Sequence, residues 1–399
     1  MTKDSHHRIV IVGGGSAGIA VAARLRRLGQ ADVAIIEPSD KHYYQPLWTL
    51  VGGGCAPAAA SERDESKLIP LGVRWIKDRA VEIDPDSRAV TIGSGLAIGY
   101  DFLVVCPGIQ LDWDKIPGLG DALGKEGVSS NYDFDLAPKT WEFLKDLRGG
   151  TALFTMPTGP IKCPGAPQKT AYLAAHWWQL QGVLKDIHVV LAVPMPKLFG
   201  VPEFRVVLEQ VVERYGIDVR FEHQLVEVKR ESKEVVFKTA NEGETVSIPY
   251  DVMHTAPPQS APDWIKKGPL SADDATGYVE VDKHTHQHLR WPNVFSLGDA
   301  CSTPNSKTGA AIRKQAPVVA KNLLAVMDGK DPSERYDGYA ACPFTTARNK
   351  MLLAEFDYSM KPHPTIPLID TQKERRDMWY LKRWGLPFFY WNLMLRGLG

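Results

Sequence analysis

The stretch Arg8-Ile9-Val10-Ile11-Val12-Gly13-Gly14-Gly15-Ser16-Ala17-Gly18 limits the fold more than any other part of the chain. The β-branched run at 9–12 reads as a strand buried on both faces. Gly13, Gly15 and Gly18 then fall on G-x-G-x-x-G. The first glycine permits a tight turn, the second lets backbone approach a pyrophosphate, and the third lets a helix pack close to the strand. The Ala-rich segment 19–25 suits that helix. A second apolar run, Val33-Ala34-Ile35-Ile36, ends in Glu37, spaced as an acceptor for a ribose hydroxyl. A glycine turn without a ligand is the plain alternative. The strand, helix and terminal acid together favour a dinucleotide.

With 399 residues there is room for two domains. Lys+Arg 47 balances Asp+Glu 47, which argues against a nucleic-acid partner. The five cysteines, Cys55, Cys106, Cys163, Cys301 and Cys342, show no C-x-x-C spacing, so no metal site is expected. The first strand begins almost at once, and no leader or export signal is expected. No apolar run is long enough to span a membrane as a simple helix.

Along the chain, residues 1–7 read as a disordered polar tail. Lys41-His42-Tyr43-Tyr44-Gln45-Pro46-Leu47-Trp48 and the glycines at 52–54 read either as a packed loop or as a wall beside a flat cofactor. Segments 73–76, 79–84, with Val81, and 89–92 read as strands, and 100–108 as another buried strand ending in Pro107-Gly108. A loop-rich region with a helix near 139–147 precedes a second α/β unit, with strands at 151–155 and 188–192. Segments 218–221, 226–228 and 234–237 suggest a small β-meander, and 252–258 closes the unit. Segment 291–300 then ends in Gly298-Asp299 before a helix at 308–325. The expected class is α/β, with two Rossmann-like dinucleotide-binding domains and a C-terminal membrane-associating region. The expected units are 1–110 with 255–330, then 111–254, then 331–399.

The turn of the second unit is Met156-Pro157-Thr158-Gly159-Pro160-Ile161-Lys162-Cys163-Pro164-Gly165. Three prolines and a bulky pair replace a phosphate-cradling turn, so one dinucleotide is expected, not two. Cys163 stands before a helix starting near Pro167, with Lys162 and Lys169 close in sequence. That setting lowers a thiol pKa. A buried structural thiol is the alternative. Cys342, again followed by Pro, is the possible second member of a pair.

Four segments resemble the sulfide:quinone oxidoreductases, chiefly the branch that includes the mitochondrial enzyme. They are Pro160-Ile161-Lys162-Cys163-Pro164-Gly165-Ala166-Pro167-Gln168-Lys169, Val294-Phe295-Ser296-Leu297-Gly298-Asp299, Tyr336-Asp337-Gly338-Tyr339-Ala340-Ala341-Cys342-Pro343 and Leu353-Ala354-Glu355-Phe356-Asp357-Tyr358. The likeness runs over essentially the whole chain. It implies a two-dinucleotide-domain flavoprotein that holds FAD, oxidises hydrogen sulfide and passes electrons to ubiquinone or another membrane quinone. It implies that Gly13, Gly15, Ser16, Gly18 and Glu37 hold the ADP half. Lys41, Gln45, Val81, Gly108, Gly298 and Asp299 complete the cofactor site, and Lys307 faces the isoalloxazine edge. Cys163 and Cys342 become the redox pair, with Lys169 beside them. Phe344, Phe356 and Tyr358 become quinone-pocket walls. A third cysteine at 111–140, present in some bacterial members, is missing here.

The mechanism that this implies has hydrosulfide attack the pair, leaving a persulfide on Cys342 and a thiolate on Cys163. A small acceptor, glutathione, sulfite or sulfide, then removes the sulfur. His176 and His254 read as structural. The segment 378–391, rich in Trp and Tyr with Lys382 and Arg383, suits a membrane surface, with Pro387 splitting it into two short helices. A core helix at a homo-oligomer interface is the alternative. The expected location is peripheral, on a bacterial inner membrane. Three other functions stay open: a type II NADH:quinone oxidoreductase, a flavoprotein sulfide dehydrogenase serving a cytochrome, and a non-catalytic redox sensor.

Overall fold

The computed structural model describes residues 4–241, 243–366 and 369–399. The β-α-β unit forms as β1 (Ser5–Val12), α1 (Ser16–Arg27) and β2 (Val33–Ile36), with Val12 opposite Ile36 in a parallel pair. Part of the expected tail is ordered. Residues 1–3 lie outside the described residues, but Ser5, His6 and His7 extend β1 against Ile98, Gly99 and Tyr100. His7 Nδ1 is 2.7 Å from Asp32 Oδ1, a fastening that hydropathy does not reveal.

The first sheet runs in the order Arg74–Ile76, β2, β1, Ala97–Val105, with Ala89–Ile92 and Ala80–Asp84 as an antiparallel edge. The late strand Val294–Ser296 joins it beside residues 103–105. The second sheet is parallel throughout: Val128–Ser129, Val252–Thr255, Gly150–Thr155, Ile187–Ala192, Asp218–Arg220. Both sheets are doubly wound α/β, as the sequence leads one to expect. The meander differs from expectation. Asp218–Arg220 is the edge of the second parallel sheet, and the meander is Gln224–Lys229, Glu234–Lys238 and Thr245–Pro249. Its third strand was missed because four of its five residues are exposed and carry no apolar run.

The C-terminal segment is helical from Arg376–Tyr380 through a π-turn, Leu381–Gly385, into Leu386–Asn392. Pro387 does not split it. Proline lacks an N–H and crowds the preceding turn, and the π-turn widens the helix where that bond is lost. One face of this segment is core: Tyr390, Trp391, Met394 and Leu395 share a buried cluster with Ile19, Val21 and Leu25 of α1. Arg27 Nε donates to the Arg396 carbonyl at 2.7 Å. The segment therefore rests on the helix that carries the glycine turn.

Leu395→Ala should cost about 2–4 kcal/mol of stability, read from the urea midpoint. A loss below about 0.5 kcal/mol would mean that the segment is a surface appendage.

Candidate functional site

The glycine turn has the shape that its spacing implies. Gly13 takes φ +104°, and a Cβ there would lie 2.5 Å from the Cys106 carbonyl oxygen. A Cβ on Gly18 would collide with the Gly13 carbonyl, whereas nothing lies within 4 Å of a Cβ on Gly15. That open space stands over the first turn of α1, which has no side-chain cap and no acidic residue. An anionic diphosphate fits there by charge and by room. Glu37 is partly committed: Oε2 accepts from Gly14 N at 2.7 Å and Oε1 from Ser39 N at 2.8 Å. Burial pushes its carboxyl upward, against those two bonds. Beside it, Glu65 Oε1 is buried and has no hydrogen-bond partner among the described residues.

The thiol loop sits where the two sheet units meet. Residues 156–165 cross to the first unit, and Lys162 pairs with Lys307 in a single parallel bridge. Cys163 N donates to the Lys307 carbonyl at 2.8 Å. Cys163 has φ +49°, a left-handed conformation uncommon for a side-chain-bearing residue. The helix Ala166–Leu180 follows it and brings back Lys169, whose Nζ lies 3.0 Å from Cys163 Sγ. Cys342 lies opposite Ala354 in the hairpin of Ala340–Ala347 and Lys350–Phe356, which packs on the same helix. It is fully buried, in the cluster against which Cys163 packs. The neighbouring Cys342 thiol and the Lys169 charge hold Cys163 well below the ordinary thiol range, overcoming burial. Cys342, as donor beside a thiolate, is pushed well above it. Two cysteines far apart in the chain thus form one contact pair with unequal proton affinity.

A second buried lysine, absent from the sequence-based site, joins them. Lys382 is 1% exposed, and its Nζ donates to the Pro46 carbonyl at 2.8 Å. Burial and the neighbouring Lys169 push its ammonium down to about 7, against the pull of Cys163 and Cys342. The residue comes from the π-turn, and its sequence neighbours suggested lipid instead. Arg383 is likewise turned inward, onto the Cys55 carbonyl at 2.8 Å.

Other expected residues are placed as follows. Gln45 Oε1 accepts from Lys162 Nζ at 2.7 Å. Gly298 takes φ +72°, and its N–H donates to Gln315 Oε1 at 3.0 Å. Asp299 has its carboxyl raised by burial and lowered by Lys307 and Lys162. Gly108 has φ +86° and nothing within 4 Å of a Cβ. Lys307 does not aim its amine outward: Nζ donates to the Cys301 carbonyl at 2.8 Å and sits 3.9 Å from the Tyr278 ring centroid. Its backbone, not its charge, meets the thiol loop. Lys41 is held at the surface by Glu62 and Asp64, at 2.8 and 3.0 Å. Val81 is 39% exposed on the bulged edge strand.

The three aromatics expected to wall one pocket are separated. Phe344 and Phe356 are buried against Phe199, at 5.2 and 5.6 Å, and Phe344 also covers Gly165. Tyr358 lies apart, its hydroxyl donating to the Lys283 carbonyl at 2.8 Å. The glycines at 52–54 form a packed loop. Arg348, between Trp141 and Trp177 at 4.9 and 5.0 Å, donates to the Gly53 and Gly54 carbonyls. His176 accepts from Arg348 N, and His254 accepts from Asn131 N, both at 3.0 Å. Burial pushes His254 down to about 3.

Residues 7–144 match the pyridine nucleotide-disulphide oxidoreductase family. The chain is 41% identical over 398 residues to the mitochondrial sulfide:quinone oxidoreductase of Mus musculus, covering 99% of this chain and 88% of that one. It is 44% identical over 393 residues to the mitochondrial sulfide:quinone oxidoreductase of Dictyostelium discoideum, covering 98% and 86%. Its fold superposes with a TM-score of 0.82 on the crystal structure of the sulfide:quinone oxidoreductase of Aquifex aeolicus, at 22% identity, covering 98% of this chain and 92% of that one.

Iodoacetamide should alkylate Cys163 readily at pH 6, because a lowered pKa keeps the thiolate populated as pH falls. Lys169→Ala removes a charge that lowers that pKa, so the alkylation profile should move to higher pH. An unmoved profile would show that Lys169 does not govern the thiolate.

Proposed function

The chain belongs to the sulfide:quinone oxidoreductase family, and we propose how its residues divide the reaction which that membership assigns: oxidation of hydrogen sulfide, with two electrons passing through FAD to a quinone. FAD, when bound, accepts the electron pair and hands it on. The observation that carries the division of labour is the Lys169–Cys163 contact of 3.0 Å, with Cys342 in the buried cluster against which Cys163 packs.

In the oxidised pair, hydrosulfide attacks Cys342. The bond between the two cysteine sulfurs breaks, Cys342 carries the new sulfur as a persulfide, and Cys163 leaves as a thiolate. Cys163 is the better leaving group because Lys169 stabilises its charge. A small nucleophilic acceptor then takes the outer sulfur and leaves Cys342 as a thiol. The two thiols then reclose to a disulfide, giving up two protons and the electron pair that a bound FAD would take. Lys382, with a pKa near neutrality, is placed to hold or give up one of those protons. Gly14, Gly15 and Ser16 at the first turn of α1 would hold the pyrophosphate of FAD, and Glu37 would accept from its ribose.

The quinone is reached at a membrane surface. Among the described residues no helix is long and apolar enough to cross a membrane. The outer face of the C-terminal segment instead exposes Tyr380, Trp384 and Phe388, at 60%, 55% and 63%. Tyr380 and Trp384 stack at 5.5 Å. These aromatics follow one another at single-turn spacing and suit headgroup depth.

Cys163→Ser and Cys342→Ser should each retain FAD and lose sulfide-dependent reduction of decylubiquinone by at least about a hundredfold, since the covalent step needs both sulfurs. Anaerobic stopped-flow mixing tests this, and bleaching of the flavin by NADH but not by sulfide would overturn the assignment. Replacing Tyr380, Trp384 and Phe388 together by Ser should weaken vesicle binding by about tenfold or more while sulfide still reduces the flavin. Unchanged cosedimentation with vesicles would place the membrane surface elsewhere.

A further inference from the structure

Four side chains form a hydrogen-bonded row, half-buried at Ser16 and buried at Tyr390, His42 and Glu65. Tyr390 Oη lies 2.6 Å from Ser16 Oγ and 2.5 Å from His42 Nε2. His42 Nδ1 lies 3.0 Å from Glu65 Oε2. The row is walled by Tyr44 and Trp391, whose rings lie 4.5 and 4.9 Å from that of Tyr390. It begins at the first residue of α1 and ends at Glu65, whose unpartnered Oε1 would lie 2.6 Å from a Cβ on Gly14. Both ends therefore meet the dinucleotide cradle, and Tyr390 between them belongs to the C-terminal helix. Sulfide chemistry at the thiol pair uses none of these groups.

We propose that Tyr390 positions Ser16 for the cofactor's phosphates, so that docking of the C-terminal helix and retention of the dinucleotide are one event. The inference rests on the assignment of FAD to this cradle. Tyr390 has two hydrogen-bond neighbours and one proton. Burial keeps that proton on the phenol. If Tyr390 donates to His42, Ser16 must donate to Tyr390 and offers the cradle only lone pairs. If Tyr390 donates to Ser16, the serine proton is free to face the cradle. A phosphate oxygen only accepts, so a bound pyrophosphate selects the second arrangement. His42 then donates from Nε2 to Tyr390.

Because coupling between two events is reciprocal, the effect is readable from both sides. In the FAD-loaded protein, Tyr390→Phe should speed cofactor release about tenfold, followed as recovery of flavin fluorescence after dilution. Ser16→Ala should do the same. The double variant should release FAD no faster than either single one, because both changes remove one interaction. Hydrogen exchange of amides 386–396 should slow on adding FAD to the wild-type apoprotein and change little in Tyr390→Phe. Wild-type release rates in Tyr390→Phe, multiplicative effects in the double variant, or FAD-independent exchange in the wild type would each overturn the proposal. Alkylation of Cys163 monitors folding of every variant. Failure of the wild-type protein to bind FAD at all would instead remove the cofactor assignment.

Discussion

A buried ammonium placed on a thiolate organises the site. Lys169 and Lys382 are each 1% exposed, and burying such charges is costly unless an opposite charge or hydrogen bonds compensate. Cys163 supplies that compensation for Lys169, and the Pro46 carbonyl supplies part of it for Lys382. The four groups come from four segments: the crossing loop, the helix behind it, the late hairpin and the C-terminal π-turn. None has a reason to be charged or strained alone. The positive φ of Cys163, the covering of Gly165 by Phe344 and the inward aim of Lys382 are consistent with one requirement, a thiolate kept next to a thiol in a dry place.

The C-terminal segment joins two environments. Its inner face packs on α1 through Tyr390, Trp391 and Leu395, and its outer face presents Tyr380, Trp384 and Phe388. An aromatic-rich stretch can serve as core or as lipid anchor, and here the two roles alternate around one helical path. Removing the segment would therefore strip apolar cover from the dinucleotide unit as well as its surface aromatics. Arg348 does comparable joining work at the other end, tying the thiol hairpin to the glycine loop between two tryptophans.

What was legible in the sequence is what short-range patterns encode. The β-branched run, the glycine turn and the second strand are local signals, and they formed as expected. Cys163 before a helix with Lys169 six positions on is also local, and the structure brings the two within 3.0 Å. The meeting of Cys163 with Cys342 is not local, since no spacing rule ties a loop to a hairpin across the fold. Lys382 was illegible for a different reason: basic residues among tryptophans read as lipid-facing, whereas this one lies in the π-turn with its amine on the Pro46 carbonyl. Phe344 and Phe356 show the converse limit. Their own segments do not show what packs on them, since Phe199, against which both lie, comes from elsewhere in the chain.

The π-turn at Leu381–Gly385 has a consequence for how this segment tolerates change. A regular helix advances about 100° per residue, so a one-residue surplus rotates everything after it by roughly that angle. The surplus lets the stretch before it and the stretch after it address different neighbours without a break in the rod. Losing a single residue there would leave composition almost untouched yet swing the phenol of Tyr390 away from its serine and carry polar Asn392 toward the apolar bed. In this region the count of residues is under tighter constraint than their identity.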